Sequence, residues 1–304
     1  MTDSWKLTGY AAKALVAAAL DAQAAIEDWP ADFPVSGHEI SEDRPDDWVI
    51  EAYLPRRPTA QDRAAIRALF PYDPPRLQGE KLPDTDWVVA SQQGVEPIRA
   101  GRFHIHTPDH PRCEDSDTTS FVIPASQAFG TGQHETTAGC LAMLDHMHRR
   151  GVRAANIADI GTGTGLLAFA AMDLWPRALA TASDIDPVCE QVILDNAHAN
   201  TVPLGHRRGE MALAIADGMD DPLLQARGPY DLLIANILAR PLIELSLDFA
   251  QATTPRGNIV LAGLLTRQEN GVRQAYLRAG FRLKSRLVNG DWSILWLGKR
   301  ASAR

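Results

Sequence analysis

The sequence predicts an α/β protein built on a mixed, mostly parallel sheet covered by helices on both faces, with a smaller α+β domain in front of it. Three observations carry this. From about Phe121 onward, strands that are apolar along their whole length alternate with helical stretches, the pattern of a parallel sheet buried on both sides. Ahead of them the elements run β-α-β-β-α-β, the split unit of ferredoxin-like domains. Between the two lies "PYDPPRLQGEKLPD", Pro71 to Asp84, a stretch of proline and turn residues that marks a boundary. For 304 residues, at roughly 100–200 per domain, two domains are expected. We place the first at residues 1–75, a linker at 76–98 and the α/β domain at 99–304.

In chain order, a strand is expected from Trp5 to Tyr10, then an Ala-rich helix from about Ala11 to Glu27. "PVSGHEISE" and "DDWVIEAYLP" read as two strands bounded by turn residues. "TAQDRAAIRALF" reads as a helix with Thr59 as its N-cap, and "PRLQGEKLP" closes the domain as an extended piece. "DWVVASQ" and "GRFHIHTP" are strands of a connecting segment. In the larger domain "NIADIG", "ALATASD", "YDLLIANIL" and "GNIVLAGLL" are the buried strands. The helices between and after them run over Leu166–Asp173, Pro187–Asn200, Pro241–Ala250 and Arg267–Ala279. "FRLKSRLVN" and "WSILWLG" are close enough in sequence to form an antiparallel hairpin, which makes the sheet mixed.

Composition bounds the function. The net charge of −8 lacks the basic footprint of a nucleic-acid binder, so no direct nucleic-acid partner is expected. Cys113, Cys140 and Cys189 are odd in number and form no CxxC pair, which argues against disulfides and a zinc site and for reducing cytoplasm. The run "AAKALVAAALDAQAA" has its lysine inside it and reads as an amphipathic helix rather than a signal peptide; no stretch approaches the ~20 apolar residues of a membrane span. A soluble, cytoplasmic, monomeric protein is expected. Residues 1–70 hold 12 acids against 7 bases, with Glu39, Glu42, Asp43, Asp46, Asp47 and Glu51 clustered. Such a cluster is either a solvated face or a docking surface for a basic protein.

"DIGTGTG" joins a strand to a helix, as a nucleotide fingerprint requires, and Gly161 and Gly163 allow close backbone approach to a ligand. A dinucleotide site would want glycine three positions beyond Gly163, where Leu166 stands. Asp184, at the end of the next strand, is placed to accept hydrogen bonds from a ribose diol, while Asp186 before Pro187 suits the cap of the following helix. D-x-G-x-G-x-G with this downstream acid resembles the class I methyltransferases that use S-adenosyl-L-methionine, a ligand without phosphates. That resemblance implies their Rossmann-like, seven-stranded mixed sheet. Asn236, followed by apolar Ile237 and Leu238 at the carboxyl edge of its strand, resembles the N-P-P-Y type motif of amine methyltransferases. In those enzymes the asparagine carbonyl aims an amine N–H.

"AFGTGQHETT" excludes two familiar readings. A zinc-peptidase HExxH needs histidine where Ala138 stands, and a P-loop needs lysine where Gln133 and His134 stand. F-G-T-G-x-H-x-T-T, D-x-G-x-G-T-G, D-I-D-P and A-N-I-L, in this order, resemble the ribosomal protein L-eleven methyltransferase family, PrmA. The motifs cover Ala128 to the C-terminus; the first domain resembles the family's ferredoxin-like substrate-recognition domain by architecture alone. The segment "VIPASQ" departs from the family's L-D-P-G wording, which leaves the substrate on the weaker half of the resemblance.

The resemblance implies that Phe129, Gly130, Thr131 and Gly132 wall a cofactor site, with Thr137, Gly161, Gly163, Asp184 and Asn236 contacting the cofactor. Asn236 would be the catalytic residue. Ile237 and Leu238 would line the site, and His134 would either line it or serve the helix start. The implied activity is methyl transfer from S-adenosyl-L-methionine to lysine or N-terminal amines of the basic ribosomal protein, docked by the acidic first domain. Transfer to a different protein or to a small amine is the open alternative. A nicotinamide oxidoreductase and a non-catalytic adapter are the rivals from other classes, opposed by Leu166 and by the intact glycines with Asp184 and Asn236.

Overall fold

The computed structural model describes residues 4–24, 26, 29–30, 33–40, 46–82, 96–124 and 133–301. The chain divides into two compact units, residues 1–90 and 91–304. The strand expected in "DWVVASQ" lies outside the described residues.

The first unit comprises β1 (Trp5–Ala12), α1 (Lys13–Ala24), β2 (Val35–Glu39), β3 (Asp47–Leu54), α2 (Ala60–Ala68) and β4 (Gln78–Lys81). Its sheet has the order β2-β3-β1-β4, antiparallel throughout, which is the ferredoxin-like arrangement. The helix starts at Lys13 and not at Ala11, because Ala11 and Ala12 are held in register opposite Trp48 and Asp47. Sheet pairing overrides alanine's helix propensity there. Thr59 caps α2 as its residue type predicts. Its hydroxyl accepts from Asp62 N at 3.2 Å and its own N–H donates to Asp62 Oδ2 at 2.7 Å, a reciprocal capping box. Arg56 grips the same carboxylate with both guanidinium nitrogens, at 2.6 and 2.9 Å, and holds the Asp62 carboxyl well below the usual range. Leu7, Val16, Ile50 and Ile66 form the core between helices and sheet.

The second unit opens with a three-stranded sheet of β5 (Ile98–Ala100), β6 (Phe103–His106) and β7 (Thr119–Val122). The α/β layers follow: α3 (Gln133–Arg149), β8 (Asn156–Ile160), α4 (Leu166–Leu174), β9 (Leu179–Asp184), α5 (Val188–Ala199), β10 (Met211–Ile215) and α6 (Pro222–Arg227). Then come β11 (Tyr230–Asn236), α7 (Ala239–Glu244), α8 (Ser246–Ala252), β12 (Thr253–Leu265), α9 (Glu269–Arg278), β13 (Phe281–Asn289) and β14 (Trp292–Lys299).

The strands form one seven-stranded sheet of order β10-β9-β8-β11-β12-β14-β13. β8 to β12 pair with one another in parallel, and β14 runs antiparallel to both β12 and β13. The hairpin of the last two strands is therefore present, with its second strand inserted between β12 and the first. The order reverses between β8 and β11, and crevices at such reversals hold ligands at the carboxyl ends of the strands. The helix anticipated over Pro241–Ala250 starts earlier, at Ala239, and is two helices that meet at Leu245. Helix α3 buries the stripe Cys140, Leu141, Leu144 and Met147, against which the central strands pack.

Candidate active site

The glycine turn after β8 is built from three left-handed residues, Gly161, Gly163 and Gly165, at φ of 71°, 57° and 84°. A side chain there would be strained in each case. At Gly161 it would also collide: a Cβ would lie 2.2 Å from Ile237 Cγ2. At Gly163 the same direction is open space, so this backbone faces a void. The turn is tied to its surroundings by name. Gly161 N and Thr162 N both donate to Ser183 O at 2.9 Å, and Gly163 N donates to Asp184 Oδ2 at 2.8 Å. Beneath the turn, Asp159 Oδ2 accepts from Thr162 Oγ1 at 2.6 Å and from Ala168 N at 3.0 Å. Asp159 Oδ1 is buried without a partner. Burial pushes this carboxyl up to about 7, against the lowering effect of its two hydrogen bonds, and the nearby Asp184 adds to the rise.

Asp184 ends β9 with its second oxygen accepting from Asp186 N at 3.1 Å. Asp186 in turn accepts from Val188 N at 2.9 Å, the capping role its position before Pro187 predicts. Asn236 ends β11, and its Nδ2 lies 3.5 Å from Thr137 Oγ1 on α3, a long hydrogen bond across 99 positions of sequence. Helix α3 comes this close because Gly139 has no side chain; a Cβ there would be 2.3 Å from Ile294 Cδ1 on β14. Ile237 follows Asn236 and is held between two glycines. On its far side a Cβ at Gly263 would meet the Ile237 carbonyl oxygen at 2.3 Å.

These parts enclose a cavity of about 520 Å³. Thr137, Gly161, Gly163, Asp184, Asn236, Ile237 and Leu238 all line it, so these residues of the sequence reading meet in one place. The side chain of His134 and residues Phe129, Gly130, Thr131 and Gly132 lie outside what the structure describes. Thr162, Thr164, Ile185, Cys189, Gly263 and Trp292 also contribute to the lining and were not anticipated, nor was Asp159 below it. Gly263 carried a readable signal, a glycine inside a buried strand where another backbone approaches. Trp292 carried none, because its place depends on which strand of the closing hairpin is inserted.

The charged residues in the described lining are Asp184 and Asp186, both acids. With no cationic side chain among them, the cavity suits a cationic or neutral ligand and offers a pyrophosphate no counter-charge.

The family model described as ribosomal protein L11 methyltransferase (PrmA) matches residues 4–300. The chain belongs to the PrmA family. Curated relatives of that name include one from Rhizobium meliloti, 38% identical over 289 residues, covering 92% of this chain and 94% of the relative. Another, from Agrobacterium fabrum, is 38% identical over 272 residues, 88% of this chain and 90% of its own length. The crystal structure of a ribosomal protein L11 methylase from Lactobacillus delbrueckii subsp. bulgaricus shares 26% identity at a TM-score of 0.56, covering 68% of this chain and 98% of that one. The PrmA match reaches into the first unit, where the sequence offered architecture without motifs. The chain is thus a methyltransferase by family, with the mixed seven-stranded sheet of the class I fold.

Proposed function

We propose that the chain transfers methyl groups from S-adenosyl-L-methionine to lysine or N-terminal amines of ribosomal protein L11, the substrate in the names of its relatives. The observation that carries this reading is the meeting of Thr137 and Asn236 in an acid-lined cavity beside the open backbone of Gly163. When bound, the cofactor supplies an activated methyl group on a cationic sulfur. The residues present fit such a ligand. Gly161 and Gly163 leave the turn bare, the Asp184 carboxylate is available to a diol at the end of β9, and the acidic lining favours positive charge.

Asn236 aligns the acceptor. With Nδ2 given to Thr137, the side-chain Oδ1 is the atom left to accept an amine N–H. The accepting nitrogen must be neutral, and a lysine of pKa about 10.4 pays roughly 4–5 kcal/mol to be so at pH 7. Apolar Ile237 and Leu238 and the ring of Trp292 reduce hydration at that position, which favours the neutral form. Positioning, rather than a dedicated base, then provides most of the acceleration.

The first unit would dock the basic substrate through its acidic face. Glu51 is not free for this, since it accepts from Lys6 Nζ at 2.9 Å and Tyr53 OH at 2.8 Å. Exposed Glu39 is a better contributor.

The test is transfer of labelled methyl groups to purified ribosomal protein L11 at saturating cofactor. Asn236→Ala should lower kcat by about 100-fold or more, the scale of a lost orientation. Full activity in that variant refutes the aligning role, and no labelling of the protein by the wild type refutes the substrate.

A further inference from the structure

Net charge argues against a polyanionic partner only when charge is evenly spread, and here it is not. The candidate site occupies the carboxyl ends of the parallel strands. At the opposite edge, the end of α3 and the loops entering β8, β9 and β10 carry Arg149, Arg150, Arg153, Arg177, Arg207 and Arg208, against the single acid Glu210 in those loops. All six arginines are exposed. Arg149 pairs with Asp145 at 2.8 Å; the other five have no ion pair among the described residues.

The three loops form one strip. Trp175 Nε1 donates to Val152 O at 3.0 Å, joining the first loop to the second. Gly209 N donates to Ala178 O at 2.8 Å, joining the second to the third. Glu210 lowers the charge of the strip by one but makes no ion pair with its guanidinium groups among the described residues; its carboxylate accepts from the backbone N–H of Arg207 at 2.9 Å. Asp173, on the neighbouring end of α4, accepts from Thr119 Oγ1 at 3.1 Å.

We propose that this strip binds the phosphate backbone of RNA. Guanidinium groups match phosphate oxygens two at a time, and a row of them without acidic partners is what backbone contact requires. A protein partner is the weaker fit. Protein interfaces need apolar or aromatic anchors, and Leu204 is the large apolar side chain that the described residues of these loops expose. The strip and the cavity are separated by the length of β8, five residues or roughly 16 Å, so bound RNA leaves methyl transfer unobstructed.

The test uses the full chain and a fluorescein-labelled RNA duplex, followed by anisotropy from about 50 to 200 mM salt. Five unpaired arginines predict a slope of log affinity against log salt of about −4.5. The variant Arg153→Gln/Arg177→Gln/Arg207→Gln/Arg208→Gln should bind more than tenfold more weakly and lose about 3.6 units of that slope, while retaining methyl transfer and its unfolding temperature. Should it fold poorly, Arg177→Gln and Arg208→Gln taken singly should each remove about 0.9 of a unit. Absence of binding at low salt, or equal binding by wild type and variants, overturns the proposal. So does competition by polyglutamate as strong as by unlabelled RNA, which would make the strip a general anion face.

Discussion

Asp159 is the most direct test of how the floor of the site is built. Its carboxyl is buried beneath the glycine turn with one oxygen unpartnered, and burial lifts it from the ordinary 3.8 to about 7. A carboxyl raised on folding binds its proton more tightly in the native state, so its contribution to stability is complete below the unfolded value. That contribution is lost as pH rises toward 7. The full span is about three pKa units, or about 4 kcal/mol at 1.36 kcal/mol per unit. Between about pH 5.5 and 8.5 the change is about 2 kcal/mol. Asp159→Asn removes the titration and keeps an oxygen to accept from Thr162 or Ala168. The measurement is thermal or urea unfolding of both proteins across that range, without ligand, so that other titrating groups cancel in the difference. Relative to the variant, the wild type should lose about 2 kcal/mol from the acid to the alkaline end, a shift of roughly 4–8 °C in Tm. A difference flat to within about 0.5 kcal/mol would show that Asp159 ionises near its unfolded value and is well solvated, contrary to its burial.

Gly161→Ala combines a left-handed backbone with a Cβ at 2.2 Å from Ile237, and should cost about 2–5 kcal/mol in calorimetry; a Tm within about 2 °C of wild type would sink the packing account. Asp184→Asn removes a charged acceptor from the Gly163 N–H and from the ligand's side of the turn. S-adenosyl-L-methionine should then bind about 10- to 100-fold more weakly by isothermal titration, and an unchanged affinity would take Asp184 out of the binding site.

Much of this site was readable because its signals are local. The left-handed turn after β8 needs glycine, Asp184 sits at a strand end, and Asn236 closes an apolar run; each is marked within a few residues. Asp159 was passed over although it stands in the same motif, since its isolation under the turn depends on packing from α4. Trp292 and the insertion of β14 between β12 and β13 depend on long-range pairing, which no short pattern encodes. The short strands β5, β7 and β10 were missed: the first two have three and four residues, and β10 is an alanine-containing pentapeptide with weak strand preference. In the first unit Thr59 was legible from its capping pattern, whereas the start of α1 was decided by a partner strand 35 or more positions away.

Ile237, clasped by the bare backbones of Gly161 and Gly263, ties together three positions far apart in the chain. Bulk added at Gly161 meets the Ile237 side chain and is eased by a smaller residue 237, whereas bulk at Gly263 meets the Ile237 backbone and is not. The order in which substitutions arrive at this site therefore matters as much as their identity. Ile237→Ala should relieve the harm of Gly161→Ala in part, leaving the left-handed strain, so the route to a reshaped cavity passes first through the isoleucine.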